Sequence, residues 1–147
     1  MKVDVRVVST LDTPRLVLEA PALTPQVEAL ARRLEALDDG TLPGFREDRA
    51  FLLDTASLTC LYAQDKGVFA RSETGEVYTL RLRLYELEER LDGRTFVRIS
   101  HSEIVNLKKV TALDLKLSGT IKMSLADGTE CYVSRRYVKK IKEALGL

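Results

Sequence analysis

The sequence holds one histidine and two cysteines in 147 residues, too few for a zinc site of the usual ligand spacing. The cysteines, Cys60 and Cys131, lie far apart, each inside an apolar strand-like run. That is the pattern of small buried thiols in a reducing compartment rather than of a disulfide framework. The eight glycines stand at 40, 44, 67, 75, 93, 119, 128 and 146, so neither a GxGxxG turn nor a Walker loop can be built, which removes those routes to nucleotide binding. Long apolar runs are missing as well. Asp4 and Arg6 interrupt the first candidate signal-peptide core, and no later stretch approaches the ~20 apolar residues of a membrane-spanning helix. A soluble, cytoplasmic protein without metal or cofactor is the expectation.

What is present suits a folded domain: 45% of residues are hydrophobic and 31% charged, a balance that excludes disorder and collagen-like sequence. The net charge of +1 conceals an asymmetry. Residues 1–45 carry 5 basic against 7 acidic side chains, residues 46–97 carry 8 against 10, and residues 98–147 carry 10 against 5. A basic last third beside a slightly acidic remainder suits an anionic partner held at one end of the chain.

Lys2–Val8 alternates strictly, with Val3, Val5 and Val7 on one face and Lys2, Asp4 and Arg6 on the other, which predicts a half-buried strand. Leu16–Ala20 reads as a second. Thr24 and Pro25 form a helix start, and Val27, Leu30, Ala31, Leu34 and Leu37 recur at helical spacing until Asp39 and Gly40. Thr41–Asp48, with Pro43 and Gly44, has turn composition and is expected to mark a domain boundary. Beyond it short strands alternate with turn residues: 51–54, 58–63, 68–71 and 77–83, then a short helix on Leu84, Leu87 and Leu91. Strands at 110–116, 120–125 and 130–133 follow, the last two joined by Asp127-Gly128, and a final helix spans 135–145 with Ser134 as its N-cap.

Few groups invite a catalytic reading. Glu86, Glu88 and Glu89 fall on the polar side of the short helix, where Glu86 and Arg90 stand four apart, the mark of a solvated face. His101 lies between Ser100 and Ser102, but adjacent residues rarely give a nucleophile and its base the required geometry, and no third group orients them. Two other stretches carry more. Phe96-Val-Arg-Ile-Ser-His-Ser-Glu-Ile-Val-Asn-Leu107 and Cys131-Tyr-Val-Ser-Arg-Arg-Tyr-Val-Lys-Lys140 both place basic and hydroxyl side chains where strands give way to a loop or a helix. Ser134 at a helix start offers free backbone N–H groups, surrounded by Arg135, Arg136, Lys139 and Lys140, which is chemistry for a polyanion. An exposed basic face with no ligand is the alternative, and physical reasoning on the residues leaves both open.

These two stretches resemble the LytTR family of bacterial DNA-binding domains, whose pattern reads F-[LV]-R-x-[SH]-[RKN]-S-x-[IV]-[IV]-N, then an apolar strand, a Gly/Asp turn and [VI]-S-R-x-[YV]-x-K. The likeness covers about residues 51–147. It implies a mainly β fold with helices, an elongated arrangement of three small antiparallel sheets whose loops enter successive major grooves, unlike proteins that lay one helix in a groove. Arg98, Ser100, His101 and Ser102 then fall on one contact loop, Arg135 and Arg136 on another, and Lys66 in the turn corresponding to the first. The resemblance gives Arg136 the base-reading position, where arginine can bond bidentately to guanine. His101 stands where Lys, Arg or Asn is common; a neutral imidazole has one N–H donor, so a weaker or pH-sensitive contact is expected. Ser100, Ser102, Ser134, Arg135, Lys139 and Lys140 suit phosphates, and Asn106 reads as a structural turn residue.

Many such regulators carry a phosphorylated receiver domain upstream, which 45 residues cannot hold. The expected organisation is a small β-β-α extension over 1–45, used for packing or dimerisation, and a DNA-binding domain over 46–147. The expected function is a non-catalytic transcriptional regulator that reads double-stranded promoter DNA as a homodimer, with no small-molecule substrate. A regulatory protein partner is also open. The alternative function is a protein-interaction module that turns the same basic face to an acidic or membrane-associated partner.

Overall fold

The computed structural model describes residues 2–11, 15–38, 40–115 and 119–147, with backbone only for 35–38. Contacts divide the chain into two units, residues 1–35 and residues 36–147.

The first unit holds most of a helix, α1 (Pro25–Asp38). The Thr24 hydroxyl caps it by accepting from the Val27 N–H at 3.2 Å, as the Thr-Pro start predicts. Val27, Leu30, Ala31 and Leu34 are its half-buried stripe; the side chain of Leu37, and Asp39, lie outside the described residues. The strands expected at 2–8 and 16–20 are not formed: neither segment carries secondary structure. Alternation makes a segment fit for a sheet, but a strand exists only when a neighbour takes its backbone N–H and C=O groups. The expected β-β-α extension is thus reduced in the single chain to its helix.

Among its described residues the second unit has ten strands and two α-helices: β1 (Thr41–Arg46), β2 (Arg49–Asp54), β3 (Leu58–Gln64), β4 (Gly67–Ser72), β5 (Val77–Leu80), α2 (Leu84–Arg90), β6 (Phe96–Ser100), β7 (Glu103–Asn106), β8 (Val110–Asp114), β9 (Ile121–Leu125), β10 (Glu130–Val133) and α3 (Arg135–Leu145). A seven-stranded antiparallel sheet runs β2-β1-β5-β4-β3-β7-β6, and a three-stranded one runs β10-β9-β8. The fold is mainly β with helices, as expected, though the three sheets implied by the resemblance are two by hydrogen bonding. The reason is that β3 pairs with β7 over Cys60–Tyr62, and β1 joins β5 at the single pair Phe45↔Thr79, so smaller sheets fuse.

Thr41–Arg46, expected to be a turn, is strand β1. Its Pro43 faces Leu52 of β2 and sits where no β5 residue pairs with it, so its missing N–H removes no ladder bond on that side. Gly44 is there for space, because a Cβ would stand 2.5 Å from Leu53 Cδ1. The turn itself is Glu47-Asp48, both at positive φ, the two-residue geometry that matches strand twist. Lys116, expected to end β8, lies outside the described residues.

Strands β3, β6 and β7 are covered on both faces and separate two cores. Leu58, Leu61, Phe96 and Ile104 join Leu84, Leu87 and Leu91 of the α2 region in one core. Cys60, Val97, Ile99 and Val105 join Ile121, Met123, Leu125, Cys131, Val133 and Ile141 in the other. A bulge between Leu58 and Cys60 lets Leu58 and Leu61 share a face despite odd spacing. Both cysteines are free and buried, and burial pushes the Cys131 thiol up to about 12, with Glu103 and Cys60 adding to it; such a thiol is inert at neutral pH.

Asn106 is 1% exposed. Its amide N–H donates to the Leu58 carbonyl at 2.9 Å and its oxygen accepts from the Lys108 N–H at 3.0 Å, so it ties β3 to the turn after β7. Replacing it with alanine leaves a buried carbonyl without that donor and is expected to cost about 1–3 kcal/mol. A urea midpoint unchanged from the parent protein would contradict this.

Candidate nucleic-acid interface

Three separate pieces of chain meet at one end of the β3–β7–β6 region. The Ser134 N–H donates to the Ile99 carbonyl at 2.8 Å, which docks the start of α3 two residues before His101. The Ala63 N–H donates to the Ser102 carbonyl at 2.9 Å, so the end of β3 runs beside the β6–β7 turn. β3 continues to Gln64 and turns at Asp65-Lys66, both at positive φ, which carries Lys66 beyond that turn by the rise of a few strand residues. The two sequence motifs thereby meet at Ile99 and Ser134, and the end of β3 that leads into the Lys66 turn runs beside the first of them.

Helix α3 presents the cations. Ile141 is buried and Tyr137, Val138 and Leu145 are half-buried against the second core, while Ser134, Arg135, Arg136, Lys139 and Lys140 are exposed. By helical rotation Arg136 and Lys139 lie opposite the buried stripe, with Arg135 and Lys140 on its flanks. The first turn holds no acidic residue and two arginines, where the positive end of the helix dipole disfavours cations. Ser134 occupies the cap position and is exposed, yet its side chain makes no capping hydrogen bond. Arg135 lies over Gly119, where a Cβ would come within 2.9 Å of its Nε and where φ is positive.

The β6–β7 turn is braced differently from what the motif alone suggests. Arg98 is only 15% exposed and pairs with Glu88 of α2; its Nη1 donates to the His101 carbonyl at 2.6 Å. Its guanidinium is therefore spent on holding the turn. Ser100 is half-buried, its hydroxyl accepting from the Ser102 N–H at 3.3 Å, and His101 is exposed at the tip. Glu88, which the sequence assigns to a solvated helix face, turns out to anchor the loop through Arg98. No local spacing could have shown it, since ten residues and a change of element separate the pair. Glu86 instead accepts from the Arg83 N–H at the start of α2. Half-buried Glu103 follows the turn, and burial pushes its carboxyl up, against the opposing pull of Arg71.

Behind this surface a polar tie joins the two sheets. The Asp127 side chain is fully buried. Its carboxylate accepts from the Thr129 N–H at 2.9 Å, the Thr129 hydroxyl at 2.6 Å and the Thr59 hydroxyl at 3.0 Å, and lies 3.7 Å from Arg71 Nε. Burial alone would raise its pKa, but those donors and the guanidinium outweigh it and hold the carboxyl below its ordinary value.

The family model described as the LytTr DNA-binding domain matches residues 48–146. The chain belongs to the LytTR family. It is 35% identical over 131 residues to an uncharacterized HTH-type transcriptional regulator of Staphylococcus aureus strain NCTC 8325 / PS 47, covering 88% of each chain. The counterpart in strain MRSA252 is 34% identical over the same length and coverage. Among solved structures, a LytTr DNA-binding domain from Bacillus cereus superposes with a TM-score of 0.70 at 24% identity, covering 74% of this chain and 98% of that one, a likeness of fold. A LytTR domain is a DNA-binding domain and not a class of enzyme. Among the described residues no helix is long and apolar enough to cross a membrane, and no group of three or more His, Cys, Asp or Glu could hold a metal ion.

Proposed function

We propose that this LytTR protein is a sequence-specific transcriptional regulator that binds double-stranded promoter DNA in the cytoplasm, as a homodimer and without catalysis. The observation that carries the reading is the exposed cationic start of α3, docked through Ser134 against Ile99 near the end of β6. Two arginines at the positive end of a helix are unfavourable on their own, and a phosphate or a base edge relieves them. The Lys66 turn, the Ser100–Ser102 turn and the start of α3 are the loops offered to successive grooves. Arg136 reads a base; Arg135, Lys139, Lys140, Ser100, Ser102 and Ser134 meet phosphates; His101 contacts DNA from the tip of its turn. Arg98 serves the interface by setting that turn through Glu88 and the His101 carbonyl. Selection of bound fragments from random duplex DNA tests the reading: an enriched motif is expected, and its absence would leave the protein-interaction alternative.

Reader and positioner should differ in kind. Arg136→Ala is expected to cost about 1–3 kcal/mol per half-site and to relax preference at one base pair of each, whereas Lys139→Ala weakens all sequences alike. Fluorescence anisotropy on selected and scrambled duplexes separates them. Equal losses on both duplexes for both variants would overturn the assignment.

A further inference from the structure

Residues 2–34 contain no buried side chain among those described, although Val3, Val5 and Val7 are 80%, 89% and 91% exposed in the single chain. Such a regular apolar row on a segment that enters no strand pairing calls for a cover, and the charges between the valines say which one. In an antiparallel pairing of two copies of Lys2–Val8 about a two-fold axis at Val5, Val3 stands opposite Val7, Asp4 opposite Arg6, and Val5 opposite itself. A two-fold interface must be self-complementary in this way. Opposite residues of an antiparallel pair point to the same side, so one side collects three valines from each copy and the other forms two Asp4–Arg6 pairs.

We infer that Lys2–Val8 is an intermolecular strand, which pairs antiparallel with the same segment of a second copy in a register centred on Val5 and held by reciprocal Asp4–Arg6 pairs. This deepens the homodimer part of the reading above and needs no DNA. The six-valine side is then available to the half-buried stripe of α1, which alternation along a single strand could not supply with a partner. The likeness to the Staphylococcus aureus regulators runs over 131 residues, farther than the match at 48–146, so it reaches into this unit.

The register has a specific consequence. Asp4→Arg places arginine opposite arginine at both reciprocal positions, and Arg6→Asp places carboxylate opposite carboxylate. Each full-length variant alone is therefore expected to dimerise about ten- to thirtyfold more weakly than the parent. Mixed together, the two complement each other at both positions, so a heterodimer approaching the parent affinity is expected by light scattering and by capture of one tagged variant with the other. A Val5→Cys variant should also form a covalent dimer under mild oxidation, because the two copies of that position face each other while Cys60 and Cys131 are buried. A dimeric parent whose single variants remain equally dimeric, with no gain on mixing, would overturn the strand pairing and leave the homodimer standing. A parent that stays monomeric well above the concentrations used for DNA binding would overturn both, and failure to enrich any DNA motif would touch neither.

Discussion

Raising the salt concentration from about 50 to about 200 mM is expected to weaken the complex with its selected DNA by about a thousandfold or more. The exposed cations of the proposed interface are Lys66, Arg135, Arg136, Lys139 and Lys140, and the proposed homodimer presents each twice. Every phosphate neutralised releases condensed counterion, so the logarithm of affinity falls linearly with the logarithm of salt, by about 0.9 per contact. Arg98 adds nothing to that slope, because its charge is already committed to Glu88. Lys139→Ala removes one contact from each copy and should therefore reduce the slope by about two, while Arg98→Ala lowers affinity with little change in slope. Anisotropy titrations at four or five salt concentrations check both. A loss below tenfold across the range would mean that the basic face does not engage a phosphate backbone.

The second large effect concerns Asp127. Asp127→Ala is expected to destabilise the fold by about 2–4 kcal/mol, since it removes a buried carboxylate that accepts from the Thr129 N–H and from two threonine hydroxyls and faces Arg71. The same group sets an acid limit. Its carboxyl is held below the ordinary 3.8 in the folded chain, so the stability it contributes is present above the unfolded value and disappears as pH falls through the folded one. Asp127→Asn should accordingly be less stable than the parent at neutral pH and lose less of its stability on acidification below about pH 4. Denaturant unfolding at pH 7 and at pH 3 supplies the comparison. Equal acid sensitivity in parent and variant would show that other carboxylates govern the limit.

The elements whose identity depends on neighbours along the chain were legible from residue order. Thr24-Pro25 starts a helix by local capping, Asp127-Gly128 turns a hairpin by backbone preference, and Ser134 precedes a helix whose apolar residues recur at 137, 138, 141 and 145. The family motifs likewise marked both basic stretches. What failed were the cases where partners decide. Lys2–Val8 has a strand's alternation and no strand, because no strand among the described residues pairs with its backbone. Thr41–Arg46 has a turn's composition and is a strand, because β2 pairs with all of it and the Leu53 side chain leaves no room for a Cβ at Gly44.

By itself the sequence determined a mainly β domain with its cations concentrated toward the C-terminus, since hydrophobic period, turn chemistry and charge are properties of residue order, and its two motifs carried the resemblance to the LytTR family. Only the tertiary structure decided that Arg98 holds a turn while Arg136 stays exposed beside the Tyr137 ring, and that a hairpin aspartate locks two sheets together. Those assignments depend on which side chains meet across elements, Glu88 with Arg98 and Thr59 with Asp127. Sequence distance carries no record of such meetings, because they follow from strand register and from the packing of α2 and the small sheet on opposite faces of the large one.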